Sequence, residues 1–194
     1  MTPIDAHFER LRGRLLELMI ERSFEQRPVT LSSGKTSNFY VDSKQTVLSS
    51  EGHALVAQLF MALLDKHLPH VVAVGGLTMG ADPLASAVAT LSFLAGRPRD
   101  AFYVRKEPKG HGTAQWIEGA KWLPAGAPVA IVEDVVTTGA STLRAIERAR
   151  LHGYKVEGVL ALVDREEEDG AAAVEKEAPL WSLLKRRDFL KDSR

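Results

Sequence analysis

The chain has 194 residues, enough for one α/β domain with a sizeable core, and its 45% hydrophobic and 26% charged content is ordinary for a soluble globular protein. Lys+Arg and Asp+Glu are both 25, which argues against any global attraction to nucleic acid or to acidic membranes, so an anion site must come from local clustering. With no cysteine there is no disulfide, thiolate metal site or thiol catalysis. With no apolar run of membrane-spanning length, and a charged segment over residues 1–14 in place of a signal peptide, the expected location is the cytoplasm.

In chain order, Thr2-Pro3 with Asp5 in the first turn reads as a helix start. Phe8, Leu11, Leu15, Leu18 and Met19 then recur at helical spacing, so an amphipathic helix ending near Phe24 is expected. Residues 29–37 form a short strand leading into a turn at Ser33-Gly34, and residues 38–42 a second strand, together a hairpin outside any βαβ repeat. Of its adjacent aromatics, Phe39 and Tyr40, one is suited to stack on a planar ring while the other anchors the hairpin; packing alone explains either one equally well. Ser49 and Ser50 ahead of Glu51 mark the next helix, with Leu55, Leu59, Phe60, Leu63 and Leu64 on its buried face. Residues 71–74 read as a buried strand ending in the turn Gly75-Gly76-Leu77-Thr78-Met79-Gly80, which precedes a helix over 83–95. Such glycines fit close approach to a pyrophosphate or plain turn chemistry.

After a strand at 101–104, the segment Arg105-Lys106-Glu107-Pro108-Lys109-Gly110-His111-Gly112-Thr113 gathers cations without helical or strand periodicity. An isolated charge run is usually a solvated loop, yet on a net-neutral chain this cluster is suited to clamp a polyanion. Trp116, Ile117 and Gly119 bring the chain back to the fold. Residues 129–132 read as a strand buried on both faces, with Glu133 and Asp134 where it is expected to end. Thr137, Thr138, Gly139, Ala140, Ser141 and Thr142 then open a helix carrying Leu143, Ile146 and Ala149, a turn that offers N–H and hydroxyl donors to a phosphate. Two acids beside such a nest repel a bare phosphate, whereas a phosphorylated sugar with Mg²⁺ suits both features. A strand over 155–163 ends at Val163-Asp164-Arg165, placing Arg165 on the same side as Asp134. Residues 166–170 are an acidic, exposed connection, and 180–184 with Phe189-Leu190 close the domain. Strands alternating with helices predict a twisted, mostly parallel sheet with helices on both faces, in one domain over 1–194.

Residues 129–142 resemble the phosphoribosyl-pyrophosphate (PRPP) signature of the type I phosphoribosyltransferases. The order Leu-Ser-Ser-Gly-Lys-x-Ser-x-Phe-Tyr-x-Asp-x-Lys from Leu31 to Lys44, and Arg-Lys-x-x-Lys-x-His-Gly from Arg105, resemble the N-terminal hood and catalytic loop of the orotate phosphoribosyltransferases. The resemblance runs from Leu31 to the C-terminus. It implies an α/β type I phosphoribosyltransferase-like sheet with a small hood (mainly 1–48, core about 49–194). The implied reaction gives orotidine 5′-monophosphate and pyrophosphate from orotate and PRPP. Mg²⁺ is expected mainly through PRPP and water near Glu133 and Asp134. A homodimer is expected, with the 105–113 loop reaching the neighbouring active site.

By the same resemblance Glu133 and Asp134 hold the ribose hydroxyls, and Thr137, Thr138, Gly139, Ala140, Ser141 and Thr142 bind the 5′-phosphate. Arg105, Lys106, Lys109 and His111 neutralise pyrophosphate, Arg165 meets the orotate carboxylate, and Phe39 and Tyr40 face the pyrimidine. Many members carry Lys directly before the Ser-Gly pair, where this chain has Ser32, which leaves Lys35 or Lys44 as substitutes. Some carry Tyr-Lys where this chain has Met79-Gly80, so no lysine contact carries over there. Three alternatives stand beside this reading. They are a transferase of the same fold for another base, a PRPP-sensing regulator, and an interaction protein that has kept the fold without the chemistry.

Overall fold

The computed structural model describes residues 3–30, 34, 36–108 and 115–191. Its centre is a sheet of six strands: β5 (Ala73–Leu77), β6 (Asp100–Val104), β7 (Ile117–Glu118), β8 (Pro128–Val136), β9 (Lys155–Asp164) and β10 (Leu180–Lys185). The order is β10-β9-β8-β5-β6-β7, every neighbouring pair being parallel except β6–β7. The period of a strand sends alternate residues to opposite faces. Ala130 and Val132 of β8, with Leu160 and Leu162 of β9, pack against α1 (Pro3–Arg22), α3 (Ser50–His67) and α4 (Asp82–Leu94). Val129, Ile131 and Val159 face the other way, toward Ala145, Ile146 and Ala149 of α5 (Ala140–Leu151). That is the expected sheet with a helical layer on each face. Ser49 caps α3 by accepting from the Gly52 N–H, as the Ser-Ser-Glu signal predicts. No described helix is long and apolar enough to cross a membrane.

Three boundaries differ from the sequence reading. The helix α1 stops at Arg22 because Phe24 begins β1 (Phe24–Glu25), whose partner is β4 (Tyr40–Val41). The hood therefore holds two pairs in place of one hairpin, the second being β2 (Val29–Thr30) with β3 (Thr36–Ser37). A short helix, α2 (Lys44–Val47), joins it to α3. Second, Gly75 and Gly76 lie inside β5 and not in a turn. A Cβ would stand 2.2 Å from the Phe102 carbonyl oxygen at Gly75, and 2.2 Å from that of Val132 at Gly76. These glycines serve close strand packing, and the turn proper begins at Thr78. Third, β8 continues to Val136, so the acid pair belongs to the strand and its two side chains alternate.

Past β9, α6 (Gly170–Glu175) leads to β10, and α7 (Arg186–Lys191) returns to the hood. Phe189 of α7 meets Phe24 at 5.5 Å and Phe39 at 5.3 Å between ring centroids, closing the hood over the core.

Candidate active site

Four loops leave the carboxyl ends of adjacent parallel strands: 78–81 after β5, the segment from Arg105 after β6, 137–139 after β8 and 165–169 after β9. Leu77 is in register with Val104, and Val136 with Asp164, so the loops emerge in pairs from one edge of the sheet, where open α/β sheets bind ligands.

Glu133 is only 4% exposed, and its Oε2 accepts from the Ser141 hydroxyl at 2.6 Å and the Thr142 hydroxyl at 2.8 Å. Burial, then the neighbouring Asp134 charge, push its carboxyl up to about 8. Asp134 is half-buried, accepting from the Ser43 hydroxyl at 2.7 Å through Oδ2 and from the Val135 N–H at 2.9 Å through Oδ1. Gly80 packs directly on this carboxylate, since a Cβ there would sit 2.5 Å from Oδ1. The hydroxyls of Ser141 and Thr142, expected on the phosphate, are thus engaged by Glu133. The donors left at the turn are the half-buried Thr137 and Thr138 and the backbone N–H groups at the start of α5. Gly139 has φ 76°, and a Cβ there would meet the Gly170 carbonyl oxygen at 2.9 Å, so a residue without a side chain is required. Ala140 is exposed at the helix start, its N–H 3.3 Å from the Thr138 hydroxyl.

Arg165 is 8% exposed and reaches into the hood. Its Nη2 donates to the Phe39 carbonyl at 2.6 Å and the Ser37 hydroxyl at 3.1 Å and pairs with Glu167 at 2.8 Å, while Ser37 donates to Glu167 at 2.6 Å. Burial lowers the guanidinium's pKa, and the Glu167 charge opposes that. A cavity of about 480 Å³ lies beside it, lined by Arg27, Val29, Tyr40, Thr137 and Arg165 among others. Tyr40 faces that cavity with the Arg27 guanidinium 4.0 Å over its ring. Phe39, expected as a possible stacking partner, is instead fully buried against Phe24 and Phe189. Glu167 corrects a second expectation: the 166–170 connection is not wholly exposed. Sequence reasoning gave no contact to Ser37, Ser43 or Glu167, because short hydroxyl and acidic side chains outside the long elements carry no periodic signal.

Arg105 donates to Glu118 at 3.0 Å and to the Glu107 carbonyl at 3.1 Å. With exposed Lys106, Thr78 and Tyr103 it lines a second cavity of about 440 Å³. Lys44 is held by Asp42 at 2.7 Å, a contact that raises its pKa, and the Asp134 charge acts on it in the same direction. Lys35, Lys109 and His111, like Ser32, lie outside the described residues. Among the described residues no group of three or more His, Asp or Glu side chains gathers as a metal cage.

This sheet, with its ligand loops at one edge, is the fold of a type I phosphoribosyltransferase. No family model matches the chain. By sequence it is 51% identical over 182 residues to the orotate phosphoribosyltransferase of Sorangium cellulosum, covering 94% of each chain. It is 46% identical to that of Thermosynechococcus vestitus, covering 96% of each. Among solved structures, the Mycobacterium tuberculosis orotate phosphoribosyltransferase in complex with Fe(III) dicitrate matches with a TM-score of 0.79 at 39% identity, over 92% of this chain and 98% of that one. The same enzyme in complex with PRPP matches with a TM-score of 0.74 at 36% identity, covering 92% of this chain and 98% of that one. The chain belongs to the orotate phosphoribosyltransferase family.

Proposed function

We propose that the chain transfers the 5-phosphoribosyl group of PRPP to orotate, releasing pyrophosphate and orotidine 5′-monophosphate in pyrimidine biosynthesis. Beyond the family relationship, one observation carries the reading: four loops of suitable chemistry share one edge of the sheet. The 137–140 turn suits the 5′-phosphate through N–H groups aligned with the α5 dipole. Asp134, fixed by Ser43 and the Val135 N–H, suits the ribose hydroxyls. Arg105 and Lys106, with Lys109 and His111, suit the pyrophosphate. Arg165 suits the orotate carboxylate, and Tyr40 suits the face of the pyrimidine.

Charge dictates the mechanism. The C1–O bond to pyrophosphate breaks early, and its electron pair leaves with the pyrophosphate. The sugar becomes oxocarbenium-like, and the Asp134 carboxylate favours positive charge beside it. The loop cations stabilise the departing pyrophosphate. An orotate ring nitrogen then attacks C1 from the pyrimidine side and gives up its N–H proton to the departing pyrophosphate or solvent, with no covalent enzyme intermediate. The carboxylate of Asp134 is a hard oxygen donor suited to a hydrated Mg²⁺ that arrives with PRPP. When bound, that ion supplies charge neutralisation at the pyrophosphate.

We also assign a homodimer in which the 105–113 loop serves the neighbouring site, and a cytoplasmic location. Exposed Leu48 and Leu94, lining an apolar groove with Ala57 and Leu91 between α3 and α4, support self-association. The test is orotate consumption by ultraviolet absorbance with PRPP and Mg²⁺, run beside uracil and purine bases. Loss of orotate alone is expected. Consumption of another base overturns the role of Arg165, and PRPP binding without turnover favours the regulator.

A further inference from the structure

Arg148 lies far along α5 from the phosphate turn and belongs to none of the motifs, yet it is only half exposed. Its guanidinium carbon stands 3.8 Å from the centroid of the Trp116 ring, and its Nη1 donates to the Arg105 carbonyl. These two residues are the ends of the basic loop, and they are also joined to each other: the Arg105 N–H donates to the Trp116 carbonyl at 2.9 Å. Arg105 is held from the far side by Glu118, at 3.0 Å. One planar cation therefore grips both ends of the stem by different means, a ring face at one end and a carbonyl at the other. A lysine has neither the flat face nor the forked donors to do both.

We propose that Arg148 is a positioning residue that locks the stem of the basic loop to the helix whose first turn holds the phosphate. The proposal rests on the transferase reading above. The clamp therefore fixes where the loop, beginning at Lys106 next to the clamped Arg105, leaves its own subunit on the way to the neighbouring site. That placement matters when pyrophosphate leaves C1 in the neighbouring site, because the loop cation must meet charge that develops only then. Arg148's contacts are with Trp116 and Arg105, so its loss is expected to act on turnover through them, not on orotate binding at the opposite side of β8, where Arg165 follows β9.

The experiment is a double-mutant cycle with Arg148→Ala, Trp116→Leu and the pair together, with Arg148→Lys as the conservative variant. Arg148→Ala is expected to lower kcat about 10-fold, short of the ~100-fold that a 1 Å misplacement can cost. KM for orotate should stay within about twofold, with Arg148→Lys falling between. The double variant should be no slower than the worse single, since both remove one device. A wild-type kcat in Arg148→Ala, or multiplying losses in the pair, overturns the proposal. If Arg148→Ala fails to fold, Arg148→Lys and Trp116→Leu carry the same test. A second readout is independent of turnover. In a Trp122→Phe, Trp181→Phe background Trp116 is the sole tryptophan of the three, and Arg148→Ala should red-shift its emission. An unshifted spectrum overturns the clamp. A shifted spectrum in a protein that turns over no orotate even with Arg148 present sinks the transferase reading instead.

Discussion

Glu133 and Asp134 are adjacent in sequence and opposite in the sheet: Glu133 turns inward to the Ser141 and Thr142 hydroxyls, while Asp134 turns outward to Ser43 and Gly80. The same side-chain chemistry, one residue apart, is split by strand alternation between a buried acid satisfied by hydroxyls and a half-buried acid beside the loops. Replacing the outward acid should therefore strike turnover. Asp134→Asn keeps the shape and the acceptor for Ser43 but removes the charge, and we expect PRPP turnover to fall on the order of 10²-fold. Steady-state kinetics check this; near-wild-type turnover removes Asp134 from the site.

The inward acid makes a pH prediction. The Glu133 carboxyl is pushed up to about 8 in the folded chain, mainly by burial. The folded state thus holds its proton more tightly than the unfolded state does. This contribution to stability is full below the ordinary glutamate range and is lost as pH rises toward and through about 8. Glu133→Gln should flatten that loss, which urea denaturation midpoints between about pH 5 and 9 would reveal. Parallel pH profiles for the two proteins would refute it.

Charges that act as pyrophosphate departs should show in kcat more than in KM. Lys109→Ala and Lys106→Ala are both expected to lower kcat by at least about 10-fold at modest cost in KM. An unchanged kcat in either variant excludes that lysine from leaving-group stabilisation.

Phe39 and Tyr40 should separate cleanly. Phe39 is fully buried between Phe24 and Phe189, so Phe39→Ala should cost about 3–5 kcal/mol of folding stability. Tyr40 lines the cavity beside Arg165, so Tyr40→Ala should raise KM for orotate with the thermal midpoint little changed. Melting curves and kinetics on the two variants would expose a reversed assignment.

Arg165 carries the expected base selectivity. Arg165→Lys keeps a charge but loses the planar guanidinium, whose Nη2 alone meets Ser37, Phe39 and Glu167 and whose fork suits a carboxylate. The ratio of kcat/KM for orotate over uracil should drop by about 10-fold or more. An undiminished ratio moves selectivity elsewhere in the cavity.

Most of the sheet was legible because apolar runs such as 129–132 need only local periodicity. Beyond that run β8 was lost, since a glutamate reads as solvent-facing until the hydroxyls that satisfy it are known, and Ser141 and Thr142 lie on the next helix. Gly75 and Gly76 read as a turn because their real partners, the carbonyls of Phe102 and Val132, belong to other strands. The hood was harder still. Its pairing of Phe24 with Val41 spans α1's end and an intervening hairpin, and no local pattern encodes it. The site motifs were visible as strings, but the division of labour among them depends on which face each side chain takes.

The contact of Gly80 with Asp134 also limits how the chain can be redesigned. Adding a lysine to this loop is barred at position 80, where even a methyl group would displace the carboxylate. Met79 is 69% exposed, which leaves it free to accept a longer cationic side chain. An engineer grafting a further charge onto this loop has one doorway, and the neighbouring acid keeps the other shut.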